Sequence, residues 1–206
     1  AVRKIVEAAA ELGLEFMTLY AFSTENWNRP DKEVSALMDI MIDSLNNETN
    51  TLVEKGISLK VIGDIYRLSP LARERLAETM RVTSGGTRMK LIVALSYSSR
   101  WEISEACRRI AAAVQDGKMN VGDINEDTVS RNLETSDIPD PELMIRTSGE
   151  KRISNFLLWQ IAYTELYFTE KLWPDFGKAD FYKAVADFQK RERRYGKTSE
   201  QIADNR

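Results

Sequence analysis

The sequence predicts an α/β fold, a single domain over residues 1–206 with a central, mostly parallel β-sheet flanked by helices. Three observations carry that expectation. Short apolar runs alternate along the chain with longer stretches of helical spacing. The links between successive apolar runs are themselves helical, as parallel pairing requires. At 206 residues, 43% of them hydrophobic, the chain can bury one substantial core.

Residues 2–12 place Val2, Ile5, Val6, Ala9 and Leu12 at helical spacing, and Gly13 ends the pattern. Phe16–Phe22 (FMTLYAF) reads as a buried strand, followed by the polar loop STENWNRP, whose Pro30 starts the next element. Residues 33–55 form a long helical pattern with a broad apolar face of Val34, Leu37, Met38, Met41, Ile42 and Leu45, closed by Gly56. Residues 57–62 alternate as a strand and run into Gly63-Asp64; residues 70–82 form a polar, Arg-rich helix. MKLIVAL at 89–95 is another strand, 96–99 a loop, and 100–114 a helix. A short helix is expected at 125–133, and a short strand at 143–145 delivered by the turn Pro139-Asp140-Pro141. A last strand over 163–168, a turn at 173–177 and a helix over 178–194 complete the domain; the polar tail 198–206 is expected to fray.

Composition excludes several classes. A net charge of -3 offers no global basic field for nucleic acid, so any phosphate site must be local. The absence of histidine removes Ser-His-Asp and Cys-His catalysis and histidine-based zinc sites, leaving oxygen ligands that suit magnesium. The one cysteine, Cys107, rules out a disulfide framework, favours a reducing compartment, and reads as a small core residue on its helix. No run is long and apolar enough to span a bilayer.

The stretch RTSGEKRISNFLLWQIAYTE at 146–165 draws the most attention. It follows a short strand, gathers Arg146, Lys151 and Arg152 around Thr147, Ser148 and Gly149, and turns apolar at Phe156. Guanidinium forks match phosphate oxygens, and glycine lets a backbone approach closely. The loops 23–29, 96–100 and 146–154 all follow predicted strands, so a parallel sheet brings them to one edge. They offer Arg29, Arg100, Arg146 and Arg152 with Ser23, Asn26 and Ser154 as neutral donors, a set suited to a diphosphate or two phosphates. The bland alternative is that Arg29 and Arg100 pair with Glu25 or Glu102 as surface ion pairs. Glu165, in an apolar strand, needs a partner, either a metal or an arginine. Trp27 is either a lid over bound ligand or a staple holding its loop on the core. With few other apolar anchors, that loop is expected to move without ligand and close on it. Neither a P-loop nor a Rossmann fingerprint is present.

AFSTENWNRP at 21–30, IGD at 62–64, SYSSRWEI at 96–103, PDPELMIRTSGEKRISNFLLWQIAYTELYF at 139–168, WPDF at 173–176 and RERRYG at 191–196 together resemble the cis-prenyltransferases, and the resemblance covers nearly the whole chain. It implies a homodimeric, magnesium-dependent enzyme that condenses isopentenyl diphosphate onto farnesyl diphosphate with Z geometry to make a long polyprenyl diphosphate, a cell-wall lipid carrier precursor delivered to the membrane. A cytoplasmic protein peripheral to the inner membrane face is expected. The resemblance implies an isopentenyl diphosphate clamp of Arg146, Arg152 and Ser154, and in Glu165 a carboxylate that helps place magnesium. It implies a mobile loop of Ser23, Asn26, Trp27 and Arg29 joining the two substrate sites, and an Arg-x-Gly element at Arg194 and Gly196 that reaches the partner subunit's substrate. Helix 33–55 would be a wall of the tunnel holding the growing chain. The DDxxD motif of trans-prenyltransferases is absent.

The family opens with a strand and a His-x-x-x-Asp-Gly-Asn-x-Arg-Trp-Ala motif whose aspartate serves magnesium and catalysis, and this chain starts downstream of it. The expectation is an enzyme domain without its N-terminal strand and motif. The competing reading is a non-catalytic accessory subunit, which would be expected to have lost the diphosphate clamp that Arg146, Arg152, Ser154 and Glu165 still spell out.

Overall fold

The computed structural model describes residues 2–192. The described residues divide into two compact units, one of residues 6–139 with 154–159, the other of residues 2–5, 140–153 and 160–192. Both are of the parallel α/β kind.

The larger unit is built on three strands, β1 (Phe16–Ser23), β2 (Ile57–Ile62) and β3 (Met89–Tyr97), all parallel in the order β1-β3-β2. The near-continuous apolar run of β3 explains its central place, since a strand covered on both faces has no polar side to offer; every residue but Lys90 is buried. The crossovers are helical: α2 (Asp31–Glu54) links β1 to β2, and α3 (Pro70–Thr83) links β2 to β3. Ser69 caps α3, accepting the Ala72 N–H at 3.2 Å, with Pro70 in the first turn where its missing N–H costs nothing. Thr83 Oγ1 accepts the Leu59 N–H at 3.1 Å and so ties α3 to β2. Beyond β3 follow α4 (Ser99–Gln115) and α5 (Glu126–Arg131). The first helix, α1 (Val2–Glu11), buries Ile5, Val6, Ala8, Ala9 and Ala10.

Two details depart from the expected pattern. Cys107 is exposed. The buried stripe of α4 runs through Glu102, Ala106 and Ile110, and one residue past Ala106 the helix has turned ~100° away from it. On α2, Val34, Met38 and Ile42 are buried, whereas Leu37, Met41 and Leu45 stay half-exposed along a flanking stripe. The apolar face of α2 is thus wider than its packing in this unit covers.

The parallel arrangement puts the carboxyl ends of β1, β2 and β3 at one edge. There Gly63 is needed sterically. Its φ is +120°, and a Cβ would lie 2.2 Å from the Leu95 carbonyl oxygen. The Asp64 N–H then donates to the Ser96 carbonyl at 3.0 Å, locking the end of β2 against the end of β3.

The smaller unit pairs β4 (Leu143–Arg146) with β5 (Glu165–Phe168) in parallel, Leu143 opposite Glu165, beside α6 (Lys178–Gln189). β5 starts later than the apolar pattern suggested because the chain turns just before it. The Thr164 N–H donates to the Ile161 carbonyl at 3.1 Å and Thr164 Oγ1 to the Pro141 carbonyl at 2.6 Å, leaving Tyr163 74% exposed. Helix α6 ends at Gln189, short of the expected 194.

Candidate active site

In the larger unit the sheet edge is knitted by polar side chains. The segment after β1 folds into a 3-10 turn, Thr24–Asn28, with the Ser23 N–H donating to Asn26 Oδ1 at 2.9 Å. Trp27 donates from Nε1 to Ser96 Oγ at 2.9 Å, meets the Phe22 ring edge-on with centroids 5.3 Å apart, and carries the Arg67 guanidinium 4.7 Å from its ring centre. Of the two roles open to Trp27, this geometry is the staple; any closure of the loop must break these contacts. Arg29 pairs with Glu33 at 3.0 Å, one turn along at the exposed start of α2.

The alternative in which Arg29 and Arg100 pair with Glu25 or Glu102 does not hold, and both carboxylates are engaged elsewhere. Glu25 accepts from Asn155 Nδ2 at 2.7 Å. Burial pushes its carboxyl up, but hydrogen bonds from Asn155, its own backbone, Ser23 and Thr24 outweigh that and hold it below the usual range. Glu102, 1% exposed, accepts the Tyr97 hydroxyl at 2.5 Å and the Glu134 N–H at 2.9 Å. Burial first, then the Glu102 charge, drives the Tyr97 hydroxyl far above its ordinary value near 10. Arg100 is exposed and has no carboxylate partner among the described residues.

The segment 154–159, apolar in sequence, is neither helix nor strand. Ser154, Asn155 and Leu157 have φ of +48°, +59° and +48°. Leu157 is buried in this conformation, a poor one for a branched side chain. The turn is held at several points. The Ser99 N–H donates to the Asn155 carbonyl at 2.8 Å, and the Leu158 N–H to Ser99 Oγ at 2.6 Å. Trp159 Nε1 donates to Ser130 Oγ at 3.0 Å. Phe156 stacks on Tyr20 with centroids 4.4 Å apart.

In the smaller unit, β4 ends at half-buried Arg146, and Ser148 and Gly149 follow at φ +71° and +70°. Their N–H groups are already spent on the segment that follows β5. Ser148 donates to the Lys171 carbonyl at 2.8 Å and Gly149 to the Thr169 carbonyl at 2.9 Å. Glycine at 149 therefore answers the left-handed turn and the crowding of Glu170, whose Oε2 would lie 2.3 Å from a Cβ, rather than forming an amide cradle. Arg152 is 67% exposed and pairs with Glu150. Glu165 has the arginine partner its surroundings demanded: Arg191 donates to Oε2 at 2.9 Å, to the Leu166 carbonyl at 3.0 Å and to Asp187 at 2.7 Å. The Glu165 bond, then that to Asp187, holds the Arg191 guanidinium above its ordinary range.

No group of three or more carboxylate, cysteine or histidine ligands forms a metal site among the described residues. Glu165 alone, engaged by Arg191, does not fit a self-standing magnesium site. Ser23, Asn26 and Trp27 come together with Ser96 and Asn155; Glu165 comes together with Arg191. Arg146 and Arg152 belong to one unit and Ser154 to the other. Arg194 and Gly196 lie outside the described residues. Sequence reading assigned no role to Asn155, Ser96, Arg67 or Arg191. Ser96, Asn155 and Arg191 stand inside the quoted motifs, and that was the available signal.

The comparisons with known proteins agree on one family. A family model described as "Putative undecaprenyl diphosphate synthase" matches residues 1–196. The chain is 53% identical over 203 residues to an isoprenyl transferase of Porphyromonas gingivalis, covering 98% of this chain and 80% of that protein. It is 50% identical over 202 residues to the ditrans,polycis-undecaprenyl-diphosphate synthase ((2E,6E)-farnesyl-diphosphate specific) of Pseudomonas aeruginosa, again with 98% and 80% covered. Among solved structures, lavandulyl diphosphate synthase from Lavandula x intermedia, in complex with dimethylallyl diphosphate, superposes with a TM-score of 0.93 at 38% identity over 95% of this chain and 85% of that one. A probable undecaprenyl diphosphate synthase from Campylobacter jejuni gives 0.85 at 34% identity, with 95% and 90% covered.

Proposed function

The chain belongs to the undecaprenyl diphosphate synthase family of prenyltransferases, and from that premise we propose that it adds isopentenyl diphosphate units to farnesyl diphosphate with Z geometry, building a long polyprenyl diphosphate of the undecaprenyl type. The observation that carries this reading is the edge of the parallel sheet, where residues 23–29 and 96–100, each following its strand, are tied to residues 154–159 of the same compact unit. It is backed by relatives named for this reaction at half identity over nearly the whole chain.

The chemistry follows from the charges. The allylic C–O bond breaks as the diphosphate leaves, the isopentenyl double bond attacks the allylic carbon, and a proton is lost from the new C–C unit. Arg146 and Arg152 in the smaller unit, and Arg29 with Ser154 as neutral donor in the larger one, are the groups suited to bind diphosphate oxygens, and guanidinium contacts to them can be bidentate. Asn26 has its Oδ1 occupied by the Ser23 backbone N–H, which leaves its Nδ2 as a donor to orient substrate. The proton then has a leaving diphosphate oxygen as its acceptor, and no histidine is required. The half-exposed Leu37, Met41 and Leu45 stripe of α2 suits the wall of a channel for an isoprenoid chain. Magnesium belongs to this reading as an ion brought with the diphosphates, and no step here depends on a site for it in the described residues.

We read the assembly as a homodimer, with exposed Tyr163 and Leu172 as the apolar surface of the smaller unit, and the product as passing to a membrane. No helix of the described residues is long and apolar enough to cross one. The test is incorporation of labelled isopentenyl diphosphate by the full-length protein, with product length read by mass spectrometry. Long Z-polyprenyl diphosphates are expected. A single condensation would move the reading toward the short-chain chemistry of the lavender enzyme, and binding without turnover would revive the accessory subunit.

A further inference from the structure

Asn155 stands where three segments of the larger unit meet. Its carbonyl and its side-chain Oδ1 accept the Ser99 and Arg100 N–H groups, at 2.8 and 3.0 Å, so it closes the amino end of α4. Its Nδ2 reaches across to Glu25 Oε1 at 2.7 Å, in the 3-10 turn after β1 and 130 residues away in sequence. The orientation of the amide is fixed by its partners, because a backbone N–H can only donate and a carboxylate can only accept. Among uncharged side chains, a short planar amide supplies both functions at once. Asparagine also tolerates the left-handed backbone found here, φ +59°. An alanine would lose both bonds, and an aspartate would keep the bond to Arg100 while facing Glu25 with a second carboxylate.

We propose that Asn155 is a positioning residue for the isopentenyl diphosphate half of the reaction, holding Glu25 so that the 23–29 loop and the Ser154 turn form one platform. This rests on the functional reading above, in which Ser154 belongs to the clamp and Ser23, Asn26 and Arg29 to the loop that joins the substrates. Ser154 precedes Asn155 directly, and Asn26 follows Glu25 directly, so the Asn155–Glu25 bond sets the spacing between the two groups of substrate donors. Glu25 suits the role as a carboxylate held ionised by the bonds it accepts.

The test is a two-by-two set in the full-length protein: wild type, Asn155→Asp, Glu25→Gln and the double variant. Aspartate keeps an acceptor for the Arg100 N–H and repels Glu25; glutamine at position 25 restores a donor between them. Asn155→Asp is expected to lower kcat/KM for isopentenyl diphosphate by about tenfold or more in the wild-type background, and by less than about threefold in the Glu25→Gln background. Its thermal midpoint should stay near wild type, while the amides of residues 24–29 exchange with deuterium faster. Comparing backgrounds removes any loss that Glu25→Gln causes by itself. If Asn155 only caps α4, Asn155→Asp behaves as wild type. That outcome, an equal loss in both backgrounds, or unchanged exchange at 24–29 overturns the proposal. Arg146→Ala, assayed alongside, reports separately on the clamp. If it spares isopentenyl diphosphate use, the functional reading fails, while the exchange comparison still reads the Asn155–Glu25 tie without substrate.

Discussion

Replacing Tyr97 by phenylalanine removes one oxygen from the buried network beneath the sheet edge, and its consequence can be worked out in advance. Tyr97 is 0% and Glu102 1% exposed, and the hydroxyl donates to the carboxylate at 2.5 Å. A hydrogen bond to a charged group contributes about 1.5–3 kcal/mol, and phenylalanine leaves that carboxylate oxygen short of a donor. A loss of about 2 kcal/mol is therefore expected near neutral pH, or roughly 4–8 °C in melting temperature for a chain of this size. The pH dependence makes the test specific. The folded-state value of the Tyr97 hydroxyl is raised above its ordinary value near 10. Its contribution to stability is thus fully present below that value and is lost as pH rises through it. Above it the unfolded chain releases the Tyr97 proton while the folded chain keeps it, so wild type loses about 1.4 kcal/mol per pH unit that the variant does not lose. The gap between the two proteins should then narrow from about 2 kcal/mol at pH 8 to about 0.6 at pH 11. Urea unfolding at the two pH values measures it. A gap that stays constant or widens would refute the assignment of Tyr97 as the neutral donor to Glu102.

In the full-length enzyme, Arg146→Ala or Arg152→Ala should reduce kcat/KM for isopentenyl diphosphate about tenfold or more, with a smaller effect on farnesyl diphosphate; steady-state kinetics with each substrate varied would expose a misplaced clamp as equal losses. Glu165→Gln weakens a partly exposed ion pair with Arg191, so calorimetry should register a stability loss of no more than about 1 kcal/mol. Turnover should fall by about tenfold or more if the carboxylate serves the reaction, and activity that follows only the small stability change would make Glu165 purely structural. Trp27→Phe deletes the donor to Ser96 while leaving a ring against Phe22. Faster hydrogen exchange over residues 24–29 is expected with little change in melting temperature, and unaltered exchange would mean that the staple does not set the loop's mobility.

The elements that could be read in the sequence were those whose signals are local. β2 lies between Gly56 and Gly63 and alternates cleanly, so its limits of Ile57 and Ile62 were legible. The Pro70 start of α3 was visible in the same way, because proline suits the first turn of a helix. The start of β5 and the end of α6 were not: β5 begins after a turn bonded to Pro141, and just past α6 Arg191 is drawn to Glu165 and Leu166. The exposure of Cys107 turned on which face of α4 meets the core, a question of one residue in helical phase. The site was legible as a set of residue types on three loops. Their connections were not, because the Asn155–Glu25 bond spans 130 residues and the Trp27–Ser96 bond 69. Gly149 shows the limit best. It stands in a phosphate-like setting, yet its N–H and that of Ser148 are consumed by Thr169 and Lys171.

Backbone strain shows where the fold invests in the site. The non-glycine residues with positive φ among the described residues are Ser96, Ser148, Ser154, Asn155 and Leu157, all within the loops singled out for anion binding or the turn that continues them. Such conformations cost of order 1–3 kcal/mol each and persist only where the surroundings over-determine them. The surroundings of the 154–158 turn do so through Ser99, Arg100 and Glu25. Beneath Ser96 and Ser99 lies the Tyr97–Glu102–Glu134 network. A loop that needed only to be solvated would carry neither the strain nor the buried carboxylate. A platform that must hold diphosphate donors at fixed spacing during C–O cleavage gains from both, since misplacement of even about 1 Å costs orders of magnitude in rate. The turn that seats Asn155, and the 23–29 loop tied to it through Glu25, are then expected to keep their spacing when substrate binds.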